Sequence, residues 1–159
     1  MQQATEIIDD WLIKTNPNHQ RLCIRYHISL SMKKLFAFVM VGSNDLNKSG
    51  KFYDAVAIYL GIIKVKTTDK FISYAQNNSP EEIEFYVTKP HNKEAATYGN
   101  GTMISFMVDS TKAVDSFHAS ALENGGVNEG LPGIRTDGNY YAYVRDPEGN
   151  KICARYNSK

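Results

Sequence analysis

The sequence has few cysteines, no long hydrophobic run and almost no net charge, and each shortage excludes a class of protein. Cys23 and Cys153 are the only cysteines among 159 residues. Two are too few for a disulfide scaffold, and both are read as thiols of a reducing compartment. No apolar run approaches the roughly 20 residues that a membrane span needs. A net charge of +1 creates no overall field that would attract nucleic acid or an anionic membrane.

The first residues also lack the pattern of an export signal. Glu6, Asp9 and Asp10 stand where such a signal has basic and then apolar residues. We therefore expect a cytoplasmic protein, with neither nucleic acid nor a membrane as its partner. What is present, 42% hydrophobic and 22% charged residues, is typical of one globular domain with a substantial core.

The chain changes character near residue 33. Residues 1–33 form an N-terminal extension, with a helix pattern that ends near Lys14 and a strand pattern of alternating residues over 22–30. Two interpretations stay open for it: an arm docked on the body, or a poorly ordered segment. Residues 34–159 form the domain itself.

A strand, a helix and three more strands are predicted over residues 35–90. Residues 35–41 are all apolar, which suits a strand buried on both faces. Asn44 and Asp45 offer a helix N-cap, and Gly61 ends the helix. The later strands are predicted over 62–66, 71–75 and 83–88. Residues 89–101 contain Pro90 and two glycines and are predicted to be a linker.

The same order restarts over residues 101–157. A strand is predicted over 102–108, followed by a cap at Asp109 or Ser110 and a helix that ends before Gly125. Strands are predicted over 140–145 and 151–156, and 130–138 is read as a loop. An offset of 65 superposes the halves. It places Asp45 on Ser110, Phe52 on Phe117, Gly61 on Gly126 and Phe38 on Met103. The sequence therefore predicts an α+β protein in which a β-α-β-β-β module occurs twice, at about 35–90 and 101–157.

Local motifs add a resemblance to a known family. They are Val41-Gly42-Ser43-Asn44-Asp45-Leu46, Gly101-Thr102-Met103 and the turn Asp146-Pro147-Glu148-Gly149-Asn150. With the doubled module, they resemble the glyoxalase, bleomycin resistance and dioxygenase group, the vicinal oxygen chelate superfamily. The resemblance implies a curved eight-stranded sheet built of two half-barrels. It also implies that paired modules, within one chain or between two, enclose a site. We expect a homodimer.

The resemblance implies four metal ligands, usually His and Glu, on the first and last strands of each module. In this sequence those positions carry Phe38, Met103, Cys153 and either Glu84 or Tyr86. Phenylalanine cannot ligate a metal, and methionine is a soft ligand suited to copper(I). We therefore predict no metal and no other cofactor, and the sequence leaves open whether the protein is an enzyme.

Strand periodicity indicates what the site offers instead. Phe36, Phe38 and Met40 share one face of their strand, and tyrosines alternate on another strand. Such a lining suits a flat or aromatic molecule with an anionic end. The alternative is that these side chains simply fill the barrel. The candidate ligand-binding residues are Phe38, Met40, Tyr86, Met103, Arg135, Tyr141, Tyr143, Cys153 and Arg155.

Three residues have two interpretations each. Arg135, in a glycine-flanked loop, could grip a carboxylate or phosphate, or pair at the surface with Asp137 or Glu129. His91 is either solvated in the linker or leans over a pocket mouth. Cys153 is either a nucleophile or a small buried hydrophobe, and the second is favoured because no histidine stands beside it in the sequence.

Three functions therefore compete. The leading one is a metal-independent protein that binds a small molecule. The others are a metal-dependent lyase resembling lactoylglutathione lyase and a structural or regulatory dimer with filled barrels.

Overall fold

The computed structural model describes residues 36–158, and the helix and strand predicted for the N-terminal extension lie outside them. The described chain runs β-α-β-β-β twice, so the predicted α+β class and the repeated module are confirmed. Module one comprises β1 (Val39–Gly42), α1 (Leu46–Leu60), β2 (Ile62–Thr67), β3 (Phe71–Gln76) and β4 (Ile83–Thr88). Module two comprises β5 (Ile104–Met107), α2 (Thr111–Glu123), β6 (Val127–Ile134), β7 (Tyr140–Arg145) and β8 (Lys151–Tyr156).

Each module forms its own four-stranded sheet. The strand orders are β1-β4-β3-β2 and β5-β8-β7-β6. The first strand of each module pairs in parallel with the last one, and the other pairs are antiparallel. Val39 and Ile104 open equivalent strands 65 positions apart, and so do Ile62 and Val127. The offset read from the sequence is therefore the structural repeat.

The helix ends follow the predicted capping. The Asp45 carboxylate accepts hydrogen bonds from the backbone N–H groups of Asn47 and Lys48, which satisfies donors that a first turn leaves unpaired. Ser110 does the same for Ala113 at the start of α2. Gly61 ends α1 at a φ of 69°, in the left-handed region that glycine enters without steric cost.

One hydrophobic core lies against both helices and joins the two modules. Phe52 and Val56 of α1 and Phe117 of α2 are fully buried in it. Where the helices meet, the Ser120 hydroxyl donates to the Ala55 carbonyl across 3.1 Å. These two residues occupy equivalent positions in the repeat, so the two helices contact each other at equivalent points of their modules.

Two predictions about strands are wrong. The segment 130–138, read as a loop, contains the second half of β6, which pairs with β7 through two register shifts. Pro132 is tolerated there because β6 is an edge strand. The first strand was expected to be buried on both faces. In the described chain Val41 is 5% exposed but Met40 is 53% exposed, because only one face of the sheet packs against a helix.

Within residues 36–158, no helix combines the length and the apolar character that a membrane crossing requires.

Candidate functional site

The sheet face of module one that points away from the helices is apolar and aromatic. Phe38 is 50% exposed on it. The Tyr86 ring meets the rings of Phe38 and Phe71 edge to face, at centroid distances of 5.4 and 5.6 Å. Tyr86 stands between Met40 and Ser73 across the strands. The Ser73 hydroxyl is buried without a hydrogen-bond partner in the described chain, so this face carries one polar group that something else must satisfy.

The corresponding face of module two carries a stacked pair of tyrosines surrounded by cations. The rings of Tyr141 and Tyr143 are nearly parallel, 8° apart, with centroids 5.8 Å from each other. The Arg155 guanidinium lies 5.5 Å from the centroid of Tyr141. Arg135 and Lys151 each lie 5.3 Å from the centroid of Tyr143. These distances place all three cations within reach of the ring faces.

Two carboxylates balance part of this positive charge. Glu129 accepts from Arg145 Nε at 2.7 Å and lies 3.4 Å from Lys151 Nζ, and the hydrogen bond from Arg145 lowers the pKa of Glu129 below its usual value. Asp137 accepts a short hydrogen bond from the Tyr141 hydroxyl, which with hydrogen bonds from Asn139 lowers the pKa of that carboxyl to about 2.

Arg135 does not make the surface ion pair that one interpretation of the sequence predicted. Among the described residues, Asp137 and Glu129 bind other cations, and the Arg135 guanidinium donates to the Leu131 carbonyl across 2.7 Å. The alternative of a simple Arg135 pair with Asp137 or Glu129 is therefore wrong. In this part of the chain, the Arg135 charge stands beside Tyr143 without an opposing carboxylate.

Cys153 lies beneath this cationic cluster. It is fully buried and stands between Tyr143 and Ser105 on the neighbouring strands. Burial raises the pKa of the Cys153 thiol, and this effect outweighs the hydrogen bond from Ser105 and the nearby charge of Arg155, which act to lower it. A protonated, buried thiol packs like a small apolar group and is a poor nucleophile at neutral pH.

The four positions at which the family resemblance places metal ligands do not form a donor set. Phe38 has no donor atom and packs its ring on Tyr86. Met103 is 44% exposed, and the thiol of Cys153 is protonated. The remaining candidate, Glu84, accepts from the Gln76 side chain at 2.9 Å. Residues 36–158 hold no cluster of three or more His, Cys, Asp or Glu side chains that could bind a metal. The residues present therefore do not fit the metal of the family.

His118 and His91 have different surroundings. His118, on α2, is 5% exposed, and its Nε2 lies 2.9 Å from the Asn128 side-chain oxygen. That hydrogen bond joins α2 to β6, so His118 stabilises the packing of the helix on the sheet. His91 lines an open cleft of about 760 Å³ that also reaches Met40 and Phe71.

The Asp-Pro-Glu-Gly-Asn turn holds the two modules together. The buried carboxylate of Asp146 accepts from the Tyr53 hydroxyl at 2.8 Å and from the Asn150 side chain at 2.9 Å. Asn150 also donates to the Gly42 carbonyl at 3.1 Å. Both Tyr53 and Gly42 belong to module one, more than 90 positions away in the chain. The sequence marked this turn as a family motif, and its partners follow only from the tertiary structure.

Glu148 of the same turn fixes the entrance to α1. Its carboxylate accepts from the Asn44 side chain at 2.8 Å and from the Asp45 backbone N–H at 3.0 Å. Partial burial opposes the charged form, but these hydrogen bonds outweigh it and lower the pKa of Glu148. The β1–α1 turn of module one is therefore positioned by module two.

The structure thus brings part of the predicted site together. Arg135, Tyr141, Tyr143, Cys153 and Arg155 form one cluster, and Phe38, Met40 and Tyr86 form another. Met103 precedes β5 and lies in neither cluster. A second cleft, of about 880 Å³, touches module two at Ser105 and Met107, but neither cleft contains the stacked tyrosines. Both tyrosines are half-buried, and neither cleft encloses their face.

Comparison with known proteins agrees with the doubled-module fold. The sequence profile of the Glyoxalase/Bleomycin resistance protein/Dioxygenase superfamily matches residues 35–154. The chain therefore belongs to this superfamily.

Solved structures show the same relationship. A glyoxalase/bleomycin resistance protein from Albidiferax ferrireducens is 42% identical with a TM-score of 0.71, and the match covers 78% of this chain and 99% of that one. A glyoxalase-related enzyme from Fulvimarina pelagi is 19% identical (TM-score 0.63, covering 79% and 88%). A lactoylglutathione lyase from Agrobacterium tumefaciens is 16% identical (TM-score 0.57, covering 79% and 94%). The last two likenesses show the fold alone. No protein with a curated description matches the sequence.

Proposed function

We propose that this superfamily member binds a small, flat molecule with an anionic end, without the usual metal. The observation that carries the proposal is the stacked pair Tyr141 and Tyr143 with Arg135, Lys151 and Arg155 around it. Phenol rings offer apolar contact area with a polar handle, and guanidinium groups bind carboxylate or phosphate oxygens through two hydrogen bonds.

The charge of this face supports an anionic ligand. Arg135 has no carboxylate partner among the described residues, and the buried Nε of Arg155 has no hydrogen-bond acceptor there. A buried donor without an acceptor costs free energy. An anionic oxygen beside Arg155 would satisfy this donor and neutralise the surplus charge at the same time.

A second copy of the chain would complete the site. Half-exposed Phe38, Met40 and Met103 leave apolar surface open in a single chain, and such surface is usually covered by a partner. We propose a homodimer in which the apolar face of module one closes over the ligand, with Tyr86 and the buried thiol of Cys153 in the lining. Cytoplasmic location is part of the same proposal. The alternative of a metal-dependent lyase is not supported by the described residues, which hold no cluster of side chains that could bind a metal.

Calorimetric titration with 1-naphthoate tests the proposal, with uncharged 1-naphthalenemethanol as the matched probe. We expect the naphthoate to bind more tightly, and Arg135→Gln with Arg155→Gln to weaken it by about tenfold or more. The control is Lys51→Gln with Lys112→Gln, which removes the same charge from exposed helix positions. Equal binding by both double variants would refute the assigned site. Light scattering that gives a monomer would refute the dimer.

A further inference from the structure

The linker between the modules, residues 89–101, lines one side of an open cleft. This cleft is separate from the arginine and tyrosine face of module two. This cleft of about 760 Å³ lies where the linker follows β4, beside the start of β3 and the end of β1. Its volume is in the range of sites for small ligands. It shares only Met40 with the predicted ligand-binding residues. The lining residues used below are Met40, Lys70, Phe71, Lys89, His91 and Lys93.

The cleft is strongly cationic on its polar side. Lys70, Lys89 and Lys93 line it together with His91, and Glu94 is its one acid. No lysine of this set forms an ion pair or a side-chain hydrogen bond within the described chain. Three ammonium groups and one carboxylate leave the cleft with a net positive charge, and like charges that share one cleft repel one another. A doubly charged anion between them would remove that repulsion.

The backbone around the cleft is held in place. The Lys89 N–H donates to the Lys70 carbonyl across 2.9 Å. At the far end of the linker, Asn44 and Ala96 exchange two hydrogen bonds, of 2.8 and 3.1 Å. The backbone at Lys70 and Lys89 is therefore fixed beside the ends of β3 and β4, and the far end of the linker is fixed to the turn after β1.

Lys93 has an unusual backbone. Its φ is 66°, and it is the one non-glycine residue of the described chain with a positive φ. Glycine is the residue that this conformation favours. Strained backbone of this kind concentrates at ligand clamps and switch regions, and at this position it supports a lysine whose side chain faces the cleft.

We infer that this cleft binds a small organic dianion of the phosphate monoester class. Its phosphoryl oxygens contact the ammonium groups of Lys70, Lys89 and Lys93, since lysine acts as a point charge toward phosphate. Its apolar part lies against the Phe71 ring and Met40. The lysines of this cleft are not used by the proposed function, whose ligand contacts the arginines and tyrosines of module two. Met40 and Phe71 also belong to the apolar face of module one that the proposed dimer sets against that ligand.

Titration of the full chain with phenyl phosphate tests the inference, with inorganic phosphate and phenol as partial probes. We expect phenyl phosphate to bind more tightly than either. Lys70→Gln with Lys93→Gln should weaken it by about tenfold or more, because each lysine supplies a charge-assisted contact. Lys51→Gln with Lys112→Gln is the control and should leave binding within about twofold. Equal losses in both double variants, or inorganic phosphate binding as tightly as phenyl phosphate, would overturn the inference.

Two further variants distinguish this cleft from the arginine and tyrosine face of module two. Lys93→Gly removes the charge at a φ that suits glycine, so the melting temperature should not fall while phenyl phosphate binds more weakly; unchanged affinity would contradict the assigned contact. Phenyl phosphate also belongs to the ligand class proposed for the face of module two, so the lysine changes are repeated in the Arg135→Gln, Arg155→Gln protein. There phenyl phosphate should still bind, and Lys70→Gln with Lys93→Gln should still weaken it. If those arginine changes abolish it and the lysine changes do not, the dianion binds at the site of the proposed function. The present inference then fails while the proposed function stands.

Discussion

Removing the Tyr53 hydroxyl tests how strongly the two modules are joined. Tyr53 of α1 is fully buried, and its hydroxyl donates to Asp146 Oδ2 across 2.8 Å. The Asp146 carboxylate also accepts from the backbone N–H groups of Glu148 and Asn150, at 2.9 and 2.8 Å. Tyr53→Phe therefore removes one donor of several and leaves the carboxylate hydrogen bonded.

The expected loss follows from this environment. A hydrogen bond to a charged group is worth about 1.5–3 kcal/mol, and the remaining donors place Tyr53→Phe near the lower end, at about 1.5–2 kcal/mol. Tyr59→Phe on the same helix is the control. Its hydroxyl has no hydrogen bond with another described residue, so the change should stay within about 0.5 kcal/mol. Urea unfolding at pH 8 measures both values.

The loss should also depend on pH in a defined direction. Burial, reinforced by the negative charge of Asp146, raises the pKa of Tyr53 well above its usual value. A raised pKa stabilises the folded state below the unfolded pKa of about 10, and this stabilisation disappears as the pH rises toward the folded value. At pH 11 the unfolded tyrosine is ionised, and about 1.4 kcal/mol of the advantage over phenylalanine is lost.

The gap between wild type and Tyr53→Phe should therefore nearly close between pH 8 and pH 11. Tyr74, whose pKa is also raised by burial, is present in both proteins and cancels in the difference. A gap that stays constant or widens over this range would refute the buried hydroxyl–carboxylate contact as its origin, and so would an equal loss in the Tyr59→Phe control.

Two other substitutions test the packing. Gly149 has a φ of 91°, and a Cβ there would overlap the Tyr98 ring, so Gly149→Ala should cost about 2–4 kcal/mol. Gly138→Ala, at a φ of 80° with open space around it, should cost only about 1 kcal/mol, and equal losses in thermal unfolding would contradict the clash. Phe52→Ala should cost about 3–5 kcal/mol, whereas the same change at the half-exposed Phe38 should cost well under half of that in dilute protein. A comparable loss at Phe38 would favour the filled-barrel alternative.

The sequence predicts most of the fold because local rules decide most of it. The bounds of β4, β7 and β8 agree with the predicted strands, and the caps at Asp45 and Ser110 act as expected. The whole of β6 escapes prediction, because Gly130, Pro132 and Gly133 look like loop residues. Pairing with β7 overrides their low strand propensity.

The candidate site is predictable only within a strand. Alternation along β7 puts Tyr141 and Tyr143 on one face, whereas their position beside Arg155 follows from the register of β7 with β8. The hydrogen bond from Asn44 to Glu148 joins residues 104 positions apart. The cationic cleft depends on how the linker crosses the first sheet. Neither arrangement has a local signature, because each depends on the order of strands in the sheet.

The two modules share a core but differ on their open faces. Phe52 and Phe117 occupy equivalent positions, and both are fully buried. On the open faces, by contrast, module one presents Phe38 and Tyr86, and module two presents Tyr143 beside Arg135. Packing in the shared core requires similar side chains at equivalent positions of the two modules. The open sheet faces are under no such packing constraint.

This difference limits how two copies can assemble. If the module-two faces of two copies met, two sets of cations, each only partly balanced by Glu129 and Asp137, would oppose one another, which is unfavourable in a closed site. If the module-one faces met, the cationic faces would stay open to solvent. A two-fold dimer that sets module one of each copy against module two of its partner avoids both outcomes and repeats the same interface twice. Each of the two sites would then offer an apolar wall and a cationic wall. That arrangement matches the two ends of the ligand proposed above, so we expect Phe38→Ala and Arg155→Gln on different subunits of a mixed dimer to damage one and the same site.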